Sequence, residues 1–230
     1  DYAAKYENRW VERIRDFYEQ KLVSGLIARV PLSDLTLPVL DLPCGIGRFL
    51  PVLHARVPRV IEGDWSNHML QFARSKHEKN VLGFVRASTA ALPFAEQSFD
   101  LVFSVRLCHH FPTTQERAEY IREMLRISRR WVILTYLDKH STQNTVRSMV
   151  RRLKGKRLKW SMTKDEIAET AAEQGFTVVH SVLLSRFFSG QRYAILQRNA
   201  QVQCNGLTAR NPLSPHELNN DGLSANVVGL

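Results

Sequence analysis

Apolar runs alternate along the chain with segments in which apolar residues recur every three or four positions. The runs have the length of buried strands, and the periodic segments have the spacing of amphipathic helices. The predicted strands are residues 39–42, 59–62, 82–85, 99–105, 131–137, 176–184 and 192–197. Strand and helix alternate five times, and the last two strands lie close together. The pattern therefore predicts an α/β fold with a doubly wound, mostly parallel seven-stranded sheet that ends in an antiparallel hairpin, with helices on both faces.

Polar residues mark the predicted helix ends. Thr113 and Thr163 are each followed three residues later by a glutamate, which is the spacing of a capping box. Ser66 is placed to cap the helix after the second strand, and Gly175 ends the last helix. The first helix is predicted over residues 2–29. Its apolar face comprises Trp10, Ile14, Phe17, Leu22 and Leu26.

A glycine turn follows the first strand, in the stretch VLDLPCGIGRFL at residues 39–50. In a doubly wound sheet the ligand lies at the carboxyl ends of the strands, at the topological switch point. Gly45 and Gly47 let the backbone approach a ligand that a β-carbon would push away. The third glycine of a dinucleotide fingerprint is missing, which disfavours a pyrophosphate. Asp64 closes the second strand and is placed to bind two ribose hydroxyls. Trp65 offers a flat face for a purine, with burial in the core as the alternative.

Four stretches, in order, resemble motifs of the class I S-adenosylmethionine-dependent methyltransferases, particularly those with a generic small-molecule-type methyltransferase domain. They are VLDLPCGIGRF, GDWSNHML, ALPFAEQSFDLVFSVRLCHHF and TKDEIAETAAEQGF. The first resembles D/E-x-G-x-G-x-G, with Pro43 in place of the first glycine. The resemblance covers residues 39–197. It implies a Rossmann-like fold, methyl transfer, S-adenosylmethionine as cofactor and S-adenosylhomocysteine as product.

The resemblance also assigns site residues. Asp41, Gly45 and Gly47 are expected at the methionine half of the cofactor, Asp64 at the ribose and Trp65 beside the adenine. Ser88 and Thr89 stand where many members have an aspartate and a small residue at the adenine, which is a departure from the family pattern. The sulfonium end is expected to be lined by Ser104, Val105 and Arg106. The residues expected to close over the methionine carboxylate are Tyr2 and Tyr6.

The domain organisation follows from these assignments. Residues 1–36 are predicted to form a helical cap over the cofactor site, and residues 37–198 the methyltransferase core. A basic helical insertion is predicted at about residues 139–162. Residues 199–230 differ in composition from the rest of the chain, with six asparagines and few large apolar residues. They are interpreted as a C-terminal tail or arm.

Two adjacent histidines follow the fourth strand. His109 and His110 are the candidates for proton transfer if the acceptor must lose a proton. The alternative is that one is a structural histidine and the other lines the pocket. Three isolated cysteines argue against a disulfide framework and a zinc ribbon, and no metal site is predicted.

Positive charge is concentrated in one segment. The net charge is +10, and residues 139–164 contribute nine positive charges and no acid, which leaves +1 for the rest of the chain. Val146, Met149, Val150 and Leu153 form an apolar helical face within this segment. One interpretation is a lid that gathers an acidic acceptor or rests on an anionic membrane surface. The other is a packed helix with a solvated basic face.

These observations predict a methyltransferase acting on a small-molecule or lipid-linked, acidic acceptor. The alternatives are an RNA methyltransferase and a catalytically silent methyltransferase-like binding module. RNA is placed second because the fourth strand lacks the Asn/Asp-Pro-Pro-aromatic motif and Trp160 alone accompanies the cations. No run reaches the length of a membrane span and no signal peptide is recognised. We therefore expect a cytoplasmic protein.

Overall fold

The computed structural model describes residues 10–32, 35–89, 91–156, 159–185 and 189–200. The strands are β1 (Val39–Asp41), β2 (Val60–Asp64), β3 (Gly83–Arg86), β4 (Phe99–Ser104), β5 (Ser128–Leu137), β6 (Phe176–Ser185) and β7 (Ser189–Arg198). The α-helices are α1 (Trp10–Ile27), α2 (Leu50–His54), α3 (Asn67–His77), α4 (Thr114–Ile127), α5 (Thr142–Leu153) and α6 (Lys164–Glu173). Short 3₁₀ helices cover Glu78–Asn80 and Cys108–His110.

The strands form one sheet in the order β3–β2–β1–β4–β5–β7–β6. β1 pairs in parallel with both β2 and β4, so the sheet changes winding direction beside it. β7 runs antiparallel between β5 and β6. The predicted fold class is confirmed, and the carboxyl end of β1 lies at the switch point where such sheets bind ligands.

Each face of the sheet is covered by a hydrophobic layer. Leu40 and Val102 point into a core shared with α4 and α6. Val39 and Leu101, their neighbours along the strands, point into a core shared with α1 and α2. Side chains alternate between the faces of a strand, so the continuous apolar runs of β1 and β4 serve both layers.

The capping predictions are confirmed. Thr113 Oγ1 accepts a hydrogen bond from the Glu116 N–H at 3.1 Å, and the Glu116 carboxylate accepts one from the Thr113 N–H at 2.9 Å. The same reciprocal pair joins Thr163 and Glu166 at the start of α6. Ser66 caps α3 by accepting from the Met69 N–H. Local hydrogen bonds thus fix the start of three helices.

The predicted apolar face of α1 is only partly correct. Ile14 and Phe17 are exposed, whereas Val23 and Leu26 are buried. The buried face also contains Glu19, which has no accessible surface. α1 is therefore held by the apolar residues of its second half together with one buried carboxylate.

Candidate functional site

The glycine turn after β1 is built for close approach of a ligand. Gly45 has φ +58°, and a β-carbon placed there would meet no further residue within 4 Å. Gly47 has φ +73°, and its β-carbon would lie 2.8 Å from His77 Cδ2. Both positions have the left-handed conformation that glycine adopts without strain. The turn is therefore packed against α3 at Gly47 and open at Gly45.

Asp64 connects this turn to the end of β2. Its Oδ2 accepts a hydrogen bond from the Gly45 N–H at 2.9 Å, and its Oδ1 accepts one from the Ser66 N–H at 2.8 Å. A carboxylate oxygen can accept more than one hydrogen bond, so both oxygens retain acceptor capacity. The carboxylate is thus held in one orientation at the carboxyl edge of the sheet.

A cavity of about 240 Å³ lies in front of the turn. We call it the turn cavity. Its lining residues are Pro43, Cys44, Gly45, Ile46, Arg48, Phe49, Asp64, Met69, Val105 and Arg106. Residues predicted from separate motifs, at the ends of β1, β2 and β4, therefore meet at one site.

Asp41 lies behind the turn and not among the residues that line the cavity. Both of its carboxylate oxygens are buried and have no hydrogen-bond partner among the described residues. Burial, and then the neighbouring Glu62 in register on β2, raise the pKa of Asp41 well above its ordinary value. The raised pKa favours the protonated form of Asp41, and a cationic group placed near it, such as the ammonium of a methionine moiety, would favour the ionised form.

Other predicted residues lie elsewhere. Trp65 is exposed, so burial in the core is wrong, and the Arg86 guanidinium lies 4.9 Å from its ring centroid. Ser88 and Thr89 are half-buried after β3, outside the lining of the turn cavity. Ser104, expected at the sulfonium end, is instead fully buried. Its hydroxyl donates to the Leu42 carbonyl and accepts from the Tyr120 hydroxyl. The predicted Tyr2 and Tyr6 lie outside the described residues.

Two arginines in the cavity wall share one buried acid. The Glu19 carboxylate accepts hydrogen bonds from Arg48 at 2.9 Å and from Arg106 Nε at 3.0 Å, and also from the Tyr193 hydroxyl. Burial alone would raise the pKa of Glu19, but the charges of Arg106 and Arg48 and the hydrogen bonds from Arg48 and Tyr193 lower it. The acid therefore stays ionised and holds both guanidinium groups at the turn cavity.

Arg106 has an unusual backbone conformation. Its φ is +65°, a left-handed value that costs energy for a side chain larger than glycine. Its N–H donates to Thr135 Oγ1 at 2.7 Å, and its guanidinium binds Glu19. Strained residues of this kind persist where the surroundings fix them, and they are concentrated at functional sites.

Sequence reasoning missed Glu19 and gave Arg48 no role in the site. One signal was available, because Glu19 lies four residues before Val23 on the buried face of α1. A charged residue within an apolar helical stripe indicates a partner buried with it. The identity of that partner, 87 positions away along the chain, had no local signal.

A second, larger cavity of about 540 Å³ adjoins Arg106. We call it the basic cavity. Its charged lining residues are Arg15, Arg106, Arg147, Arg151, Lys154, Lys156 and Lys159, and no Asp or Glu is among the described residues that line it. Partial burial and then the nearby charges, Arg151 first, lower the pKa of Lys159. Arg106 lines both cavities, so a ligand in the basic cavity would lie next to a ligand in the turn cavity.

The two candidate histidines have rings in contact, with centroids 4.3 Å apart, but differ in exposure. His109 is buried and lines the basic cavity, whereas His110 is exposed and does not. Burial, and then the positive charge of Lys159 and its neighbours, lower the pKa of His109 to about 3. His109 is therefore neutral at pH 7 and a weak base. Among the described residues, no group of three or more potential ligands is arranged to hold a metal ion.

Comparison with known proteins agrees with this geometry. Residues 40–134 match the family model described as a methyltransferase domain. The chain contains a methyltransferase domain at these residues. The family, the enzyme class and S-adenosylmethionine as cofactor, all predicted from the sequence, are confirmed for this domain.

Three proteins that are similar to this chain are each named as methyltransferases. A protein of Bos taurus named "Probable tRNA methyltransferase 9B" is 28% identical over 126 residues, which is 55% of this chain and 24% of that protein. A protein of Encephalitozoon cuniculi named as a methyltransferase is 39% identical over 90 residues, which is 39% of each. The magnesium protoporphyrin IX methyltransferase of Synechocystis, solved with bound SAH, shares the fold. It has a TM-score of 0.68 and 23% identity over 83% of this chain and 88% of that chain.

The chain spans about a quarter of the length of the bovine relative and less than half of the Encephalitozoon relative. Within the part of the chain that the structure describes, no helix combines the length and apolar character needed to cross a bilayer.

Proposed function

We propose that the chain transfers the methyl group of S-adenosylmethionine to an acidic acceptor held in the basic cavity. The observation that carries this proposal is the position of Arg106. It lines the turn cavity on one side, and on the other side it is one of the seven cationic residues that line the basic cavity. A small-molecule or lipid-linked carboxylate is the acceptor class that such a lining favours, because each carboxylate is matched by several cations and repelled by none.

The cofactor site is supplied by residues of the turn cavity. S-adenosylmethionine supplies a methyl group on a sulfonium centre, which an acceptor atom removes by in-line displacement. Asp64 would accept hydrogen bonds from the ribose hydroxyls with the acceptor capacity that Gly45 and Ser66 leave. The positive charge of the methionine end would favour the ionised form of Asp41, whose pKa is raised in the free protein. These residues orient the reactants, a contribution worth up to ~7–11 kcal/mol of the barrier.

His109 is assigned a positioning role at the acceptor. A neutral imidazole with a pKa of about 3 accepts a hydrogen bond but binds a proton weakly at pH 7. A carboxylate acceptor fits this environment because its oxygen already has a negative charge and loses no proton on methylation. His110 is exposed and does not line the basic cavity, and its ring centroid lies 4.3 Å from that of His109.

The first experiment is calorimetric titration of the chain with S-adenosylmethionine and with S-adenosylhomocysteine, followed by transfer of a radiolabelled methyl group to a panel of carboxylate metabolites. Micromolar binding and base-labile methyl ester products are expected. Absence of binding by a folded sample would favour the silent binding module. Binding without transfer to any anionic acceptor would reject the acceptor class.

Adjacent arginines provide a matched pair of variants. Arg151 lines the basic cavity, whereas Arg152 does not. We expect Arg151→Gln to raise the acceptor KM by about tenfold, the loss of one charge-assisted hydrogen bond, without changing cofactor affinity. Arg152→Gln should leave the acceptor KM and the cofactor affinity unchanged. Equal effects of the two substitutions would show that the general charge of α5, and not the cavity, attracts the acceptor.

RNA is the second candidate. It is favoured by the name of the bovine relative and by the number of cations around one cavity. Binding of RNA through several phosphates would give an affinity that falls steeply with salt concentration. Methyl transfer to tRNA with such a salt dependence, and none to carboxylates, would replace the acceptor proposed above.

A further inference from the structure

Helix α5 is attached to the sheet through its first turn. The Asn144 side chain is buried, and its Nδ2 donates to the Asp138 carbonyl at 2.8 Å and to the Gly190 carbonyl at 2.9 Å. A β-carbon at Gly190 would overlap the Asn144 side chain, so glycine is required at that contact. Asn144 is the residue of α5 that is buried.

An apolar stripe on α5 faces solvent. The exposed fractions are 59% for Val146, 66% for Met149, 42% for Val150 and 87% for Leu153. Scattered exposed apolar residues are normal on a protein surface, but a continuous stripe of four along one helix is a mark of an interaction site.

Helix geometry places this stripe away from the protein. At about 100° per residue, the four side chains fall within an arc of about 100°, and Asn144 lies nearly opposite its centre. Arg147 and Lys154 fall on one border of the stripe and Arg152 on the other, whereas Arg151 lies about 20° from Asn144. Because Asn144 points into the sheet, the middle of the stripe points outward.

We propose that this face of α5 docks on an anionic lipid bilayer. A helix that lies in the interface presents an apolar face to the acyl boundary and basic side chains to the headgroups, and α5 has both. Val146 and Val150 also line the basic cavity, so docking brings that cavity to the lipid surface. The docking itself does not depend on the proposed methyl transfer.

Charge distinguishes an anionic bilayer from two other possible occupants of the stripe, a second copy of the chain and its C-terminal residues. A second copy of the chain would bring two segments with nine positive charges and no acid against each other. Such like-charge contacts disfavour association. The C-terminal residues 201–230 contain only two acids, Glu217 and Asp221, which is too few to match the cations. RNA would match the charge, but Val, Met and Leu side chains do not provide the aromatic platforms on which bases stack. An anionic bilayer matches both the charge and the apolar stripe.

The test is co-sedimentation of the full chain with large vesicles. One set contains phosphatidylglycerol and phosphatidylcholine in equal amounts, and the other contains phosphatidylcholine alone. We expect binding to the anionic vesicles to be at least about tenfold tighter. The double variant Met149→Ser/Leu153→Ser should lose at least about tenfold in affinity for them, because two apolar side chains no longer enter the interface.

A matched control is available at Leu82, which is 54% exposed and lies outside α5. Leu82→Ser should bind the anionic vesicles as the unmodified chain does. Thermal melting and cofactor titration of all variants confirm that the fold is retained. The proposal is overturned if the unmodified chain does not sediment with anionic vesicles, or if the double variant binds them equally well. It is also overturned if size-exclusion chromatography shows a dimer that the double variant dissociates, because the stripe would then be occupied by a second copy.

Discussion

Glu62 provides a quantitative test of the electrostatics beneath the glycine turn. It has no accessible surface and lies in register with Asp41 on the adjacent strand. Burial raises the pKa of Glu62 to about 7, from an ordinary value of about 4.5. The substitution Glu62→Gln keeps the size of the side chain and removes its titration.

The expected magnitude follows from proton linkage. Between about pH 4.5 and about pH 7 the native protein retains a proton that the unfolded chain has released. The free energy of unfolding therefore falls as pH rises through that window and is level above it. At about 1.4 kcal/mol per pH unit, this group costs the native protein about 3 kcal/mol by pH 8. The cost is absent from Glu62→Gln.

The assay is urea unfolding of both proteins at pH 5 and pH 8. We expect the unmodified protein to lose about 3 kcal/mol or more relative to Glu62→Gln between the two values. The substitution removes the titration of Glu62 and also the part of the Asp41 pKa shift that the Glu62 charge causes. Glu169→Gln, an exposed substitution on α6, serves as the control and should follow the unmodified protein. Parallel pH dependence of the unmodified protein and Glu62→Gln would refute the reasoning, and so would greater stabilisation of the unmodified protein at pH 8.

Three further substitutions test the site. Asp64→Asn removes the charge held between the Gly45 and Ser66 amides, and we expect cofactor affinity to fall by at least about tenfold in calorimetric titration. Unchanged affinity would remove the ribose assignment. Glu19→Gln leaves two arginines without their shared carboxylate, so the free energy of unfolding in urea should fall by about 3 kcal/mol or more. A loss below about 1 kcal/mol would contradict the role of Glu19. His109→Gln should lower kcat by less than about tenfold, whereas a hundredfold loss would indicate proton transfer.

The fold could be predicted because local signals agree with it. Apolar runs of strand length, two Thr-x-x-Glu capping boxes and a closing pair of strands each specify an element from its own residues. The ends of β1 and β2 could be assigned to one ligand because parallel strands in a doubly wound sheet end at the same edge. Pro43, Gly45 and Asp64, which come from two motifs, line one cavity for that reason.

The remaining site features depend on tertiary contacts. Ser104 follows the apolar pattern of β4, but its hydroxyl is used by Leu42 and Tyr120, which only the packed structure brings near. Glu19 meets Arg106 across 87 positions. The outward direction of the α5 stripe was also hidden, because an amphipathic pattern indicates a face without indicating what that face contacts.

The attachment of α5 places different sequence constraints on its anchor, Asn144 and Gly190, and on the residues that follow Asn144. Asn144 is held by two main-chain carbonyl groups, which every amino acid supplies, and requires only that residue 190 be glycine. This anchor itself sets no requirement on the side chains of residues 145–156, so a change in them leaves these two hydrogen bonds in place. Under the two proposals made above, a change in residues 145–156 would alter which acceptor or surface the domain binds without altering this anchor. Grafting residues 145–156 between proteins with the same Asn–Gly contact is a direct route to altered specificity.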